Sequence, residues 1–128
     1  MKLYFDSSVL IDVVLNPTDI KFPKRFTGDN LYTSRLSQVE VLRTITKVDP
    51  DLIPFAVDLL SQLNFVELED QIIRSACRYP QSITLKSSDA IQMATAQAVL
   101  DMSDELVTYD KQMKLNAERL GVTVRTSV

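Results

Sequence analysis

Apolar and polar residues alternate along the chain in short blocks that are bounded by proline, glycine, serine or acidic residues. Short apolar runs between turn signals are typical of buried strands, and longer segments with apolar positions three or four residues apart are typical of amphipathic helices. The pattern predicts strands at residues 2–6, 31–34, 64–68, 105–110 and 122–126. It predicts helices at residues 8–15, 35–48, 50–63, 69–79, 87–100 and 111–121.

Polar residues at the element boundaries indicate where two of the helices begin. Ser7 or Ser8 is expected to cap the first helix, and Ser87 or Ser88 to cap the helix at 87–100, because serine hydroxyls accept hydrogen bonds from free N–H groups. Residues 16–30 contain two prolines and a glycine and are expected to form a loop.

Strands and helices therefore alternate from one end of the chain to the other. This order predicts an α/β fold, a three-layer α/β/α arrangement in which helices cover both faces of a mainly parallel sheet. The length of 128 residues fits a single domain, residues 1–128.

Composition places the chain among ordinary globular proteins, with 45% hydrophobic and 24% charged residues. No apolar stretch is long enough to span a bilayer, and the N-terminus lacks the pattern of a signal peptide, so no membrane association is expected. Cys77 is the only cysteine, which excludes an internal disulfide and favours a cytoplasmic location. The net charge of −3 argues against strong non-specific binding to nucleic acid but leaves room for a local basic groove.

The absence of one residue type and the scarcity of another restrict the chemistry further. The chain has no histidine, which excludes an imidazole base or metal ligand, and only two glycines, which excludes a glycine-rich phosphate loop. Any catalytic chemistry is therefore expected to depend on carboxylates.

Four acidic residues occupy positions where such chemistry could be assembled. Asp6 and Asp110 each lie at the end of a predicted strand, and parallel strands end at the same edge of a sheet, where sites gather. Asp89 is in the first turn of the helix at 87–100, which carries no charge from residue 90 onward. Glu40 borders the apolar stripe of its own helix.

Each of these acids also has a purely structural interpretation. An aspartate at a helix start is most often a cap, and Glu40 is spaced to form an ion pair with Arg43. Several acids at one edge would, however, repel one another unless a cation lies between them. Oxygen ligands without histidine or cysteine favour Mg²⁺ or Mn²⁺ over zinc, and such a metal site is suited to the hydrolysis of phosphate esters.

Four segments of the sequence resemble one known family. "YFDSSVLID", "SQVEVLR", "SSDAIQMATA" and "LVTYDKQM…AERLGV" resemble the PIN-domain ribonucleases, and most of all the VapC-like toxins of toxin–antitoxin pairs. The resemblance extends over nearly the whole chain, and the four segments together are more specific than any one of them.

The resemblance implies an endoribonuclease that depends on Mg²⁺ or Mn²⁺. It implies that Asp6, Glu40, Asp89 and Asp110 are both the catalytic residues and the metal ligands, with Ser7 or Ser8 at the hydroxyl position beside the first acid. It further implies an RNA substrate, a homodimer, and inhibition by a small antitoxin protein.

The basic residues near the acids are the candidates for contacts to RNA phosphates. They are Arg43, Lys86 and Lys111, with Lys114 close by, although each of them is also an ordinary solvated surface charge. The chain departs from the family at Gln92, where a histidine is frequent, and we expect Gln92 to be non-catalytic.

Other functional classes share parts of this pattern. A receiver-like signalling domain requires paired acids after the first strand, where this chain has Asp-Ser-Ser. A haloacid-dehalogenase-type phosphotransferase requires Asp-x-Asp, and Ser8 takes the second position. A PIN fold that binds RNA or protein without cleavage is a further alternative, but all four acidic positions are filled.

Overall fold

The computed structural model describes residues 1–16 and 28–126. The greater part of the predicted loop, residues 17–27, lies outside these ranges, and residues 28–30 form a short 3-10 turn.

Within the described residues the chain forms five strands and six helices. The strands are β1 (Leu3–Phe5), β2 (Leu31–Ser34), β3 (Asn64–Val66), β4 (Glu105–Val107) and β5 (Val124–Arg125). The helices are α1 (Ser7–Leu15), α2 (Arg35–Val48), α3 (Ile53–Ser61), α4 (Asp70–Cys77), α5 (Ser87–Val99) and α6 (Lys111–Arg119).

The strands form a single sheet in the order β3-β2-β1-β4-β5, and every neighbouring pair is parallel. The predicted α/β fold with a mainly parallel sheet is therefore confirmed. Strand β1 lies at the centre, between β2 and β4, so the residue that follows it is surrounded by other strand ends.

Side chains alternate across β1 and divide the core into two layers. Leu3 and Phe5 point into a cluster formed with α1, α2 and α3, whereas Tyr4 points into a second cluster with α5 and α6. Because successive strand residues face opposite sides of a sheet, these two buried clusters make the α/β/α layering.

Several predicted boundaries were wrong. Residues 50–63 form a 3-10 turn at Pro50–Leu52, which the Asp49 side chain caps, followed by α3, which begins at Ile53 with Pro54 in its first turn. The predicted serine caps were also wrong. Ser7 and Ser8 are the first two residues of α1, which Asp6 caps, and Lys86 occupies the cap position of α5 without a side-chain hydrogen bond.

None of the helices in the described part of the chain is both long enough and apolar enough to cross a membrane.

Candidate active site

The carboxyl edge of the sheet brings together the ends of β1, β2 and β4 and the first turns of three helices. Asp6 directly follows β1, Ser34 ends β2 and caps α2, and Asp110 caps α6 just beyond β4. This placement is the one expected from the parallel order of the strands.

Asp6 is the most deeply buried of the four candidate acids, with only 3% of its surface exposed. Its Oδ1 accepts a hydrogen bond from the backbone N–H of Ser8 at 3.3 Å, and its Oδ2 accepts one from the Ser8 hydroxyl at 3.2 Å. The Ser7 hydroxyl is 3.5 Å from Oδ1. A buried carboxylate is tolerated only when it is hydrogen-bonded, and these donors come from the start of its own helix.

Thr108 links Asp6 to the next strand. It is fully buried, and its hydroxyl donates to Asp6 Oδ2 at 2.7 Å. The same hydroxyl accepts a hydrogen bond from the backbone N–H of Asp110 at 3.1 Å. One threonine therefore fixes the carboxylate after β1 and the backbone of the acid after β4.

Asp110 is a helix cap, as its position predicted. Its Oδ1 accepts hydrogen bonds from the backbone N–H groups of Gln112 at 2.8 Å and Met113 at 3.1 Å. Its role as the cap of α6 is compatible with a place in the candidate site, because the charge of Asp110 also acts on Asp89.

Asp89 lies in the first turn of α5 and is partly buried. Burial raises the pKa of Asp89 above its ordinary value, and the charges of Asp6, Asp110 and Glu40, in that order, raise it further. Lys86 partly offsets this rise. The other three acids that were predicted to meet Asp89 are therefore close enough to act on it electrostatically.

Glu40 reaches the site from α2 through a contact with Gln92 of α5. The Gln92 side-chain Nε2 donates to Glu40 Oε1 at 2.9 Å and to the Ser37 hydroxyl at 2.9 Å. Gln92 Oε1 accepts from the Tyr4 hydroxyl at 2.5 Å. Burial, followed by the charge of Asp6, raises the pKa of Tyr4 far above its usual range. The hydroxyl therefore stays protonated and acts as a hydrogen-bond donor to Gln92.

The predicted phosphate-binding residues lie on or beside three different helices. Lys86 precedes α5 and acts on Asp89, whereas Lys111 is the exposed first residue of α6. Arg43 is exposed and lines a surface hollow with Thr44, Thr46 and Lys47 on the later part of α2. Lys86 therefore has the clearest relation to the acids, and the three substrate contacts remain predictions.

The acids supply hard oxygen donors of the kind that Mg²⁺ and Mn²⁺ take. In the described ranges, no group of three or more acidic, histidine or cysteine side chains is already arranged to hold a metal ion. Magnesium is commonly bound through one or two carboxylates together with water and substrate phosphates, and does not require an all-protein cage. The donor set therefore fits such an ion.

Sequence reasoning missed the polar residues that orient the acids. Thr108, Ser37 and Tyr4 are all buried and all contribute hydrogen bonds at the site. Thr108 could have been found, because it interrupts an apolar strand two residues before Asp110. Tyr4 carries no such signal, because a tyrosine in a central strand has the sequence pattern of a packing residue.

Comparison with known proteins identifies the family. Residues 3–118 match the sequence profile of the PIN domain. The chain therefore belongs to the PIN-domain family. It is 32% identical over 126 residues to Ribonuclease VapC35 of Mycobacterium tuberculosis, a match that covers 97% of this chain and 86% of that protein.

Solved structures share the fold at lower identity. A toxin–antitoxin complex from Klebsiella pneumoniae matches with a TM-score of 0.69 and 24% identity, over 98% of this chain and 97% of that one. A DNA-bound VapBC complex from Salmonella typhimurium matches with a TM-score of 0.77 and 12% identity, over 98% and 97% of the two chains. These similarities show the shared fold.

Proposed function

We propose that this protein is a metal-dependent endoribonuclease that hydrolyses RNA phosphodiester bonds at the carboxyl edge of its sheet. The observation that carries the proposal is that the charges of Asp6, Asp110 and Glu40, from three other parts of the chain, all act on Asp89 in the first turn of α5. The 32% identity to a protein named as a ribonuclease supports the same activity.

The four carboxylates would hold one or two Mg²⁺ or Mn²⁺ ions, some directly and some through water. Such an ion, when bound, supplies a more acidic water as nucleophile and offsets negative charge on the attacked phosphate. Hydrogen bonds from the hydroxyls of Thr108 and Ser8 to Asp6 would hold its carboxylate in place for this role. Burial and, after it, the charges of Asp6, Asp110 and Glu40 raise the pKa of Asp89, and a bound cation would offset those charges.

The remaining side chains position the substrate. Lys86 is close enough to influence Asp89 and would place a positive charge beside the RNA backbone. Ser7 and Ser8 would contribute hydroxyls next to Asp6, while Arg43 and Lys111 would contact phosphates farther along the strand. Phosphate contacts of this kind fix the position of RNA without selecting its sequence.

The first test is cleavage of a panel of structured RNAs by purified protein, with Mn²⁺ or with EDTA. We expect cleavage with Mn²⁺ and none with EDTA, and we expect Asp89→Asn to abolish it. Asp70→Asn is the matched control, because Asp70 is an exposed acid in the first turn of α4, and it should cleave as the wild type does. Cleavage that persists in EDTA or in Asp89→Asn would contradict the proposal.

We also propose that the enzyme acts as the toxin of a toxin–antitoxin pair, in the cytoplasm and as a homodimer. Support comes from the VapC relative, from the toxin–antitoxin complex of Klebsiella pneumoniae and from the DNA-bound VapBC complex of Salmonella typhimurium. Growth arrest on expression of this chain, relieved by a small protein encoded beside it, is the expected result. Light scattering of the purified protein tests the dimer. Normal growth at high expression of an active nuclease would contradict the toxin role.

A further inference from the structure

A continuous line of hydrogen bonds runs from the core to one of the four acids. It begins at the hydroxyl of Tyr4, passes through the side-chain amide of Gln92, and ends at the carboxylate of Glu40. Tyr4 is completely buried and Gln92 is 1% exposed, whereas Glu40 is partly exposed. The line therefore connects a buried part of the molecule to a charged group at the candidate site.

The amide of Gln92 can take only one of its two orientations in these surroundings. Its oxygen accepts from Tyr4, while its NH₂ group donates to both Glu40 and Ser37. A reversed amide would place its oxygen against the Glu40 carboxylate, which has no proton to donate when it is ionised. The Glu40 carboxylate therefore selects the orientation in which Gln92 presents a donor to it, and the Tyr4 hydroxyl supplies the donor that this orientation requires at the amide oxygen.

Ser37 connects this line of hydrogen bonds to the ends of strands β1 and β2. Its hydroxyl lies 2.7 Å from that of Thr33, and Thr33 lies 2.8 Å from the carbonyl oxygen of Phe5, the residue before Asp6. Ser37 and Thr33 are fully buried. The network therefore fixes Gln92 relative to the backbone that carries Asp6.

We infer that Gln92 is a positioning residue that holds the Glu40 carboxylate in a single orientation, and that Tyr4 acts on Glu40 through Gln92. The inference rests on the proposed function, in which Glu40 is one of the carboxylates that hold the ion. Outer partners of this kind orient ligating groups and so raise their affinity for metal. Gln92 uses one oxygen of Glu40, and among the described residues the second oxygen has no hydrogen bond.

A second tyrosine–glutamine pair provides a matched comparison. The Tyr79 hydroxyl donates to Gln97 Oε1 at 2.5 Å, and Gln97 lies on the same helix as Gln92. Gln97 is exposed, and no acid takes part in this pair. The same substitutions can therefore be made in both pairs, and only one pair leads to the candidate site.

The test compares Gln92→Met and Tyr4→Phe with Gln97→Met and Tyr79→Phe. Methionine keeps the size of the glutamine side chain, and phenylalanine removes only the hydroxyl. Calorimetry would measure Mn²⁺ affinity, and NMR of the metal-free protein would follow the carboxyl carbon of Glu40. We expect Gln92→Met to weaken Mn²⁺ binding by about 10- to 100-fold and to shift the Glu40 signal, since loss of an outer partner has effects of that size.

Tyr4→Phe should change both readouts in the same direction by a smaller amount, and it should add little to Gln92→Met because both act along one line. The control variants should leave both readouts unchanged. Unchanged Mn²⁺ affinity or an unmoved Glu40 signal in folded Gln92→Met protein would overturn the inference. If the wild type binds no Mn²⁺, the metal in the proposed function is wrong, and the Glu40 signal alone then decides whether Gln92 positions Glu40.

Discussion

The two edges of the central sheet hold aspartates whose pKa values are shifted in opposite directions. At the amino edge, Asp104 is buried, and its carboxylate accepts hydrogen bonds from the backbone N–H groups of Lys2 at 2.7 Å and Asp101 at 2.8 Å. Burial acts to raise the pKa of Asp104, but these hydrogen bonds and the positive charge of Lys2 outweigh it and lower the pKa. At the carboxyl edge, burial and three neighbouring carboxylates raise the pKa of Asp89.

The contrast separates a carboxylate that stabilises the fold from one that does not. Asp104 joins the start of β1 to the loop before β4, and its charge is satisfied within the chain. Burial and the charges of three other carboxylates oppose the ionisation of Asp89 in the folded chain, and Lys86 offsets them only in part. Groups with raised pKa values that lie among other charges are more often found at functional sites, whereas well-bonded carboxylates are ordinary structural features.

The largest expected effect is on RNA cleavage. Asp6→Asn removes one charge from the carboxyl edge and keeps a side chain of the same shape, so we expect cleavage to fall by at least about 100-fold. Asp104→Asn makes the same change at the amino edge and should leave the rate per folded molecule unchanged. Rates measured with Mn²⁺ on one RNA substrate check this difference. Equal losses in the two variants would show that the edges do not differ in function.

The position of Asp6 could be predicted from the sequence, because an acid directly after an apolar run must lie at the end of a buried strand. The same reasoning placed Asp110 after β4 and Asp89 in the first turn of α5, and the structure has them there. Local sequence patterns contain this information, since strand ends and helix starts depend on neighbouring residues.

The orientation of the acids could not be predicted in this way. The hydrogen bonds of Gln92 to Tyr4 and Glu40 join residues 88 and 52 positions apart, and the bond from Thr108 to Asp6 spans 102 positions. Such contacts depend on how the strands and helices pack, which no local pattern specifies. The cap of α1 was missed for a different reason, since serine and aspartate are comparably good caps and adjacent candidates compete. Helix α5 has Lys86 at its cap position and no side-chain cap hydrogen bond, so neither serine could be recognised as being inside the helix.

The next effect concerns stability at the amino edge. Asp104→Asn replaces a charged acceptor of two backbone N–H groups and should lower the free energy of unfolding by roughly 1–3 kcal/mol at neutral pH. Because the pKa of Asp104 is lowered by folding, its contribution is complete above the pKa of the unfolded chain. It is lost as the pH falls through the folded-state value. Urea unfolding of both proteins at several pH values checks this, and a difference that grows toward acid pH would contradict it.

The smallest effect has the opposite sign and belongs to the carboxyl edge. Asp89→Asn in EDTA should raise the free energy of unfolding at neutral pH by about 0.5 kcal/mol, a size usual for substitutions outside the core. Folding raises the pKa of Asp89, so its ionisation reduces stability as the pH rises from the unfolded-state value through the folded-state value. The gain in Asp89→Asn should therefore vanish at acid pH, and added salt should reduce it by screening the repulsion.

Asp70→Asn serves as the control for this small gain. Asp70 is also in the first turn of a helix, where the helix dipole favours an anion, but it is exposed. Its replacement should lower stability by about 0.3–1 kcal/mol, since only the dipole interaction is lost. Opposite signs for the two variants would show that repulsion at the carboxyl edge exceeds the dipole interaction of Asp89. A loss of stability in both variants would mean that repulsion among the four acids is weaker than the dipole interaction of Asp89. The contrast between the two edges would then not extend to stability.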